Sequence, residues 1–342
     1  MNADELIALA EIPAPTGSEQ ARIAWLEQRL AGADGARSRD AAGNLIWRFG
    51  EGAPGLLLMA HVDTVFPSET PLTVERDGDW AIGPGIGDNA AAVMACVWAL
   101  ENAGAPRSLA VAFTVGEEGL GNLRGALSAC ADLQPATAVA VEGQGLDEVI
   151  LDAVGSVRYR LAVSGPGGHS WWDWGTPSAV HALVGVATDL LADPVNIGRI
   201  SGGGAANAIA AEAELLVERR SLTDDDLDAL AEKVGGLRVS YPLTLTAEEV
   251  GRRPAGRLDP AHPLAVAALA AHAELGLPDR ISSGSTDANA ALKLGIPALT
   301  IGCSRGSGMH TSSERIDLGS LDTGTRQVRA LADRLAPVSA GD

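Results

Sequence analysis

Two hydrophobic rhythms alternate along this chain. Before about residue 155, and again after about residue 257, the apolar positions come in short unbroken runs. Leu57 to Ala60, Leu109 to Val115, Ala136 to Val141 and Ala298 to Ile301 read as strands buried on both faces, the habit of a parallel sheet. Asn44 to Phe49 reads as a further strand, and Leu72 to Trp80 as a hairpin or meander turning at Asp77-Gly78. Between them lie helical stretches: Ala21 to Leu30, introduced by a Thr16-Gly17-Ser18-Glu19 capping box, Ala90 to Leu100, Pro263 to Leu275, and a last one from Leu321. Strands alternating with helices predict an α/β fold with a mostly parallel sheet flanked by helices.

The rhythm changes after Gly155. Ser156 to Val163 and Ala211 to Ser221 alternate polar and apolar residues, as strands with one wet face do, and Leu237 to Val250 supplies more strand. Helices are expected from about Pro177 to Leu191 and from Thr223-Asp224-Asp225-Asp226. The segment reads as a smaller α+β insertion. There is no internal repeat and no low-complexity linker.

Composition narrows the function more than the fold. With 342 residues the chain is long enough for two domains. Its formal net charge of −19 makes it a poor partner for nucleic acid or an anionic membrane. The longest apolar run, Ala90 to Leu100, is too short to span a bilayer, and Met1 to Glu5 is acidic where a signal peptide is basic. Cys96, Cys130 and Cys303 are scattered among small or apolar neighbours, so buried thiols are expected, with neither a disulfide framework nor a thiolate zinc site. A reducing cytoplasm is the expected setting.

The chemistry sits where strands end. His61, Glu117-Glu118 and Glu142 follow apolar runs, and Asp88 opens a helix after Gly83-Pro84-Gly85-Ile86-Gly87. In open α/β sheets the carboxyl ends of the strands face the binding crevice. Asp63, two residues after His61, can hold one ring nitrogen and leave the other for a metal. A late glycine loop, Gly306-Ser307-Gly308-Met309-His310, adds a second imidazole. Two imidazoles with several carboxylates form a donor set for a pair of zinc ions, which a shared carboxylate bridges at ~3.5–4 Å. Adjacent extended residues point to opposite sides, so one of Glu117 and Glu118 can bind metal while the other holds the attacking water. Each feature alone has a plainer reading: Asp88 as a helix cap, the Glu pair as solvated surface, His169 in Gly167-Gly168-His169-Ser170 as a turn residue, and Trp171, Trp172 and Trp174 as packing. The glycine-rich turn before Asp88 lacks the strong preceding strand and the acidic ribose partner ~20 residues on that a dinucleotide site requires. His181, His262 and His272 read as structural. There is neither a nucleophile elbow nor a phosphate-binding loop.

Taken in order, His61-Val62-Asp63-Thr64-Val65, Gly87-Asp88, Glu117-Glu118-Gly119, Gly167-Gly168-His169-Ser170, Asn207, Ser285-Thr286-Asp287-Ala288-Asn289 and His310-Thr311 resemble the co-catalytic zinc metallopeptidases. That family includes peptidase T, aminoacylase, carboxypeptidase G and succinyl-diaminopimelate desuccinylase, and the likeness runs over nearly the whole chain. It implies a catalytic domain in two parts, 1–154 and 257–342, interrupted by a lid and dimerisation domain, 155–256. It implies two divalent metals per chain, zinc with cobalt or manganese as alternatives. His61 and Glu142 would hold one, Glu118 and His310 the other, and Asp88 would bridge them. Glu117 would be the general base, Asp63 the partner of His61, and His169 a lid residue reaching a catalytic cleft, often the partner subunit's. Asn207, Arg220 and Gly284 would contact substrate, with Arg252 or Arg253 as a further basic contact. The family's substrates would make this an exopeptidase or dipeptidase on short peptides, or an N-acyl-amino-acid deacylase or desuccinylase, acting as a homodimer. A catalytically silent metal-binding homologue is the remaining reading. Asn89-Ala90 after the bridging aspartate and Ala210 after Asn207 depart from common family residues and weaken transfer of substrate specificity.

Overall fold

The computed structural model describes residues 2–104 and 107–338. The chain divides into two compact units, residues 1–153 with 256–342, and residues 154–255.

In the first unit, nine strands of the described residues form one sheet. At its centre Leu56–His61 lies between Leu109–Thr114 and Thr137–Glu142, with Ala298–Gly302 beyond, and these neighbours pair in parallel. The flanking strands Ala36–Arg39, Leu45–Arg48, Val149–Ala153 and Gly256–Arg257 pair antiparallel, and Ile281–Gly284 pairs in parallel with Val149–Ala153. The unbroken apolar runs now have their cause. Leu56, Leu58, Ala60, Val111, Phe113, Val139 and Val141 point into one core, which also takes residues from the helices Ala3–Ala10, Gln20–Arg29, Ala92–Leu100, Pro263–Glu274 and Ser320–Leu335. The alternate residues Leu57, Met59, Ala110, Ala112, Ala138 and Ala140 point into a second core beneath Arg124–Leu133 and Ala288–Lys293. Burying each of the larger aliphatic side chains contributes roughly 1.5–3 kcal/mol. Both faces are covered, and the charged or ionisable residues of the central strands, His61 and Glu142, fall where a strand runs out.

The first unit also carries a small antiparallel sheet. The hairpin Glu75–Asp77 and Trp80–Ile82, turning at Gly78, continues into Arg315–Asp317 and Gly306–Ser307. One sequence expectation fails here. The capping box does not form as read, because the helix starts only at Gln20, with Glu19 rather than Thr16 before it, and Glu19 Oε1 accepts from the Gly17 amide at 2.8 Å. Its partner hydroxyl is engaged elsewhere: Thr16 Oγ1 donates to Asp63 Oδ2 at 2.9 Å.

The second unit is an antiparallel sheet in the order Asn196–Gly202, Glu212–Ser221, Gly155–Ser164, Thr244–Arg253. Val157, Leu161, Val163, Leu215 and Val217 face the helices Ala179–Leu190 and Asp224–Gly236. The alternating partners form ion pairs instead, among them Arg158 with Glu218 and Arg160 with Glu248. Thr223 caps the second helix by accepting from the Asp226 amide. All three cysteines are free and buried, and no helix of the described residues is long and apolar enough to cross a membrane.

Candidate metal centre

His61 ends the central strand and pairs with Thr114, the last residue of the next strand. Glu142 likewise ends its strand, opposite Gly302. His61 Nε2 lies 3.0 Å from Asp88 Oδ1 and 3.6 Å from Glu142 Oε2. Its other nitrogen, Nδ1, lies 3.1 Å from the backbone carbonyl of Asp63. A protonated Nδ1 donating to that carbonyl leaves Nε2 as the metal-facing nitrogen.

Asp63 therefore serves His61 differently from the sequence expectation. Its carboxylate is 3.7 Å from Nδ1, outside hydrogen-bonding distance. Instead Oδ1 accepts from the Glu117 amide at 3.0 Å, and Oδ2 accepts from the Glu118 amide at 2.9 Å and from Thr16. The buried aspartate thus fixes the backbone of the Glu pair, while its own carbonyl orients the imidazole.

Asp88 is not a helix cap. Its φ of −97° and ψ of 93° interrupt the wide turn Ile86–Ala91, and the regular helix starts at Ala92. Oδ1 faces His61, while Oδ2 lies 2.9 Å from His310 Nε2. The same His310 nitrogen is 3.1 Å from Glu118 Oε1. His310 takes a left-handed φ of 64°, shortly after Gly308 at 80°. For a side-chain-bearing residue that conformation costs on the order of 1–3 kcal/mol, and here it holds the imidazole against two carboxylates.

Three overlapping groups result: His61, Asp88 and Glu142; His61, Glu117 and Glu118; and Asp88, Glu118 and His310. Within each group the donor atoms lie within 4.8 Å of one another. Imidazole nitrogen and carboxylate oxygen, without thiolate, suit zinc, cobalt or manganese. The electrostatics agree. Burial, with Asp88 and Glu117 nearby, pushes Glu142 up to about 8. Burial also opposes ionisation of Asp88, but hydrogen bonds from His310 and His61 outweigh it and hold the carboxyl below its ordinary range. The contact with Asp88, then that with Glu118, raises His310 to about 10. The cluster has more buried acid than its two imidazoles can neutralise, a deficit that divalent cations would fill.

Sequence reasoning missed three residues around this centre. Arg22 is wholly buried and donates to the carbonyls of Ala10, Ile12 and Val62, the last lying between His61 and Asp63. Burial lowers its guanidinium to about 10, against the pull of Asp63, Asp88 and Glu314. Asp287 accepts from Thr114 Oγ1 at 2.5 Å, and burial, with Glu117 nearby, raises it to about 7. Glu314, also fully buried, accepts from the backbone amides of Gly85 and Asp88. Asp287 sits inside a quoted motif, but nothing in spacing or periodicity marks the other two.

The remaining sequence candidates lie apart from this cluster in the chain. Gly284 ends the strand Ile281–Gly284, where an added Cβ would come 2.9 Å from Ile150 Cδ1. His169 and Asn207 belong to the unit 154–255 and are neighbours in it. His169 pairs with Ala208, and the Asn207 carbonyl accepts from the Ser170 amide at 3.0 Å. His169 Nδ1 accepts from the amides of Trp171 and Trp172 at 3.2 and 3.3 Å, so a neutral ring carries its proton on Nε2. Trp171, Trp172 and Trp174 are largely exposed within that unit. Arg220 bonds Glu218, Arg252 bonds Glu249 and Asp228, and Arg253 is buried.

Comparison with known proteins bears on the fold and the family. A "Probable carboxypeptidase" of Aspergillus flavus is 29% identical over 231 residues, covering 55% of each chain. The protein described here thus spans about half the length of the curated relatives it matches. A tripeptidase structure from Staphylococcus aureus superposes with a TM-score of 0.78 at 20% identity, covering 97% of both chains. Aminopeptidase PepT from Bacillus cereus gives 0.75, also at 20% identity and 97% of both chains. At that identity the likeness establishes the fold. The profile of peptidase family M20/M25/M40 matches residues 57–334, a span that contains all five proposed ligands, Asp63 and Glu117. The chain belongs to peptidase family M20/M25/M40.

Proposed function

We propose that this protein is a two-metal hydrolase that cleaves an amide bond of short peptides from one end. The observation that carries the reading is Asp88, a single carboxylate with one oxygen 3.0 Å from His61 and the other 2.9 Å from His310. His61 and Glu142 would hold one ion, Glu118 and His310 the second, and Asp88 both. Bound there, the ions would supply Lewis-acid polarisation of the carbonyl and a more acidic water. Glu117, held by its amide to Asp63, takes the proton from the attacking water and returns it to the leaving amine. In this reading the lid histidine, His169, donates its Nε2 proton to the carbonyl oxygen as negative charge develops there. Asn207, its neighbour, and Arg220 bind the polar end of the substrate, with Gly284 at the cleft. The similar proteins carry names of a carboxypeptidase, a tripeptidase and an aminopeptidase, which share exopeptidase action and differ in the end attacked.

A second reading, N-acyl-amino-acid deacylation by the same chemistry, is favoured by one feature. Three exposed indoles, Trp171, Trp172 and Trp174, adjoin His169 and would suit an apolar acyl group. Turnover of a dipeptide panel against an N-acetyl-amino-acid panel, with zinc present, separates the readings. Preferred cleavage of dipeptides supports the first and preferred deacylation the second. Inactivity on both, with metal bound, would mark a silent homologue.

A further inference from the structure

We propose that Glu314 is the positioning residue of the metal centre: its carboxylate fills the glycine-rich loop before Asp88 and locks that loop to the segments carrying Glu142 and His310. The inference rests on the reading of His61, Asp88, Glu118, Glu142 and His310 as metal ligands. Gly83 to Gly87, the stretch before Asp88, is buried, and two of its backbone amides, with that of Asp88, turn toward the side chain and carbonyl of one residue. That residue is Glu314. Glu314 Oε2 accepts from the Gly85 amide at 2.8 Å, and Oε1 accepts from the Asp88 amide at 2.8 Å. Oε1 also accepts from Gln144 Nε2 at 2.8 Å, and the Glu314 backbone carbonyl accepts from the Gly83 amide at 2.8 Å.

These contacts join three stretches far apart in sequence, each carrying a ligand. Gln144 is two residues beyond Glu142, Glu314 is four beyond His310, and the Asp88 amide belongs to the bridging residue itself. The glycines follow from the same packing. A Cβ on Gly87 would sit 2.6 Å from Glu314 Oε1 and 2.9 Å from Gln144 Nε2, and a Cβ on Gly143 would sit 1.6 Å from the Gly87 carbonyl oxygen. Only bare backbone lets the Asp88 and Glu142 segments touch while the carboxylate lies between them and the His310 loop. Glu314 touches no reacting atom in this scheme. It acts through the three ligands whose separation it sets, and loss of such an outer partner typically weakens metal affinity by 10–100-fold.

The test measures zinc affinity of the purified full chain by competition with a chromogenic chelator, with circular dichroism of the metal-free protein as the check on folding. Glu314→Ala should bind zinc about 10–100-fold more weakly. Added formate, a carboxylate small enough to occupy the vacated amides, should restore part of the affinity. Glu314→Gln keeps one acceptor oxygen but turns an amide donor toward backbone N–H, so it should fall between wild type and Glu314→Ala. At saturating zinc, both should lower kcat more than they change KM. Wild-type affinity in folded Glu314→Ala, or in Glu314→Gln where the alanine variant fails to fold, would overturn the assignment. So would an equal loss in both variants that is indifferent to formate, because that marks a general packing defect. A wild-type chain that takes up no zinc would overturn the metal reading itself, and this inference with it.

Discussion

Asp63→Asn changes one atom and should disable the centre without touching a proposed ligand. The aspartate is completely buried, with three donors converging on it: the Glu117 amide at 3.0 Å on one oxygen, and the Glu118 amide and Thr16 hydroxyl, each at 2.9 Å, on the other. Asparagine does least harm with its amide nitrogen toward Glu117, which keeps two bonds but sets donor against donor at the third. An orphaned buried amide costs about 1–3 kcal/mol, and turning the two surviving bonds from charged to neutral costs about 1 kcal/mol each. The sum is about 3–5 kcal/mol, and it falls on the backbone of the proposed base. Denaturant unfolding of the metal-free protein measures the first effect, and steady-state kinetics on a cleaved dipeptide the second. Displacing Glu117 should lower kcat by roughly 10²-fold or more. Thr16→Val, which leaves both amide bonds intact, should destabilise by about 1.5–3 kcal/mol with a far smaller effect on kcat. Asp63→Asn with wild-type stability and turnover would refute the argument that Asp63 works by holding the Glu117-Glu118 backbone.

Two further predictions divide the labour among the candidates. Glu117→Ala should keep its zinc and lose roughly 10²–10⁴ in rate, whereas Glu118→Ala should lose zinc; elemental analysis beside kinetics decides, and the reverse pattern would exchange the two roles. His169→Ala should keep both metals and lower kcat by about 10²–10³ with a smaller change in KM, and wild-type kcat would remove it from the reaction. Mixing His169→Ala with Glu117→Ala chains should restore activity if the histidine serves a partner's cleft; a verified mixed dimer without activity would confine it to its own subunit.

How much of this was legible in the sequence follows from how local each cause is. Leu57 to Ala60 and Ala136 to Val141 read correctly as strands because burial on both faces leaves an unbroken apolar run, and His61 and Glu142 stood out where those runs stop. The alternation of Ser156 to Val163 similarly announced a sheet covered by helices on one face only. The helix Arg124–Leu133 escaped although its buried positions, Gly125, Ala126, Ala129 and Cys130, recur at helical spacing on one face; all four are small, so no large apolar residue drew attention to that face. The capping box failed because tertiary structure claimed Thr16 for Asp63, 47 residues away. Glu314 was invisible for the same reason on a larger scale. The amides it meets belong to residues 229 and 226 positions earlier, and no local pattern records such a pairing. Arg22 lies on a helix where charged residues usually face water, and only the fold turns it inward to three carbonyls.

The central claim is that Asp88 is shared by two metal ions, and metal stoichiometry tests it most directly. The full chain would be stripped with chelator, reloaded with zinc, freed of excess metal, and measured for zinc and protein together, beside Asp88→Ala treated in the same way. Two zinc ions per wild-type chain, with loss of metal in Asp88→Ala, is the predicted result. Saturation at one ion or none per wild-type chain, or two ions retained in Asp88→Ala, would contradict it.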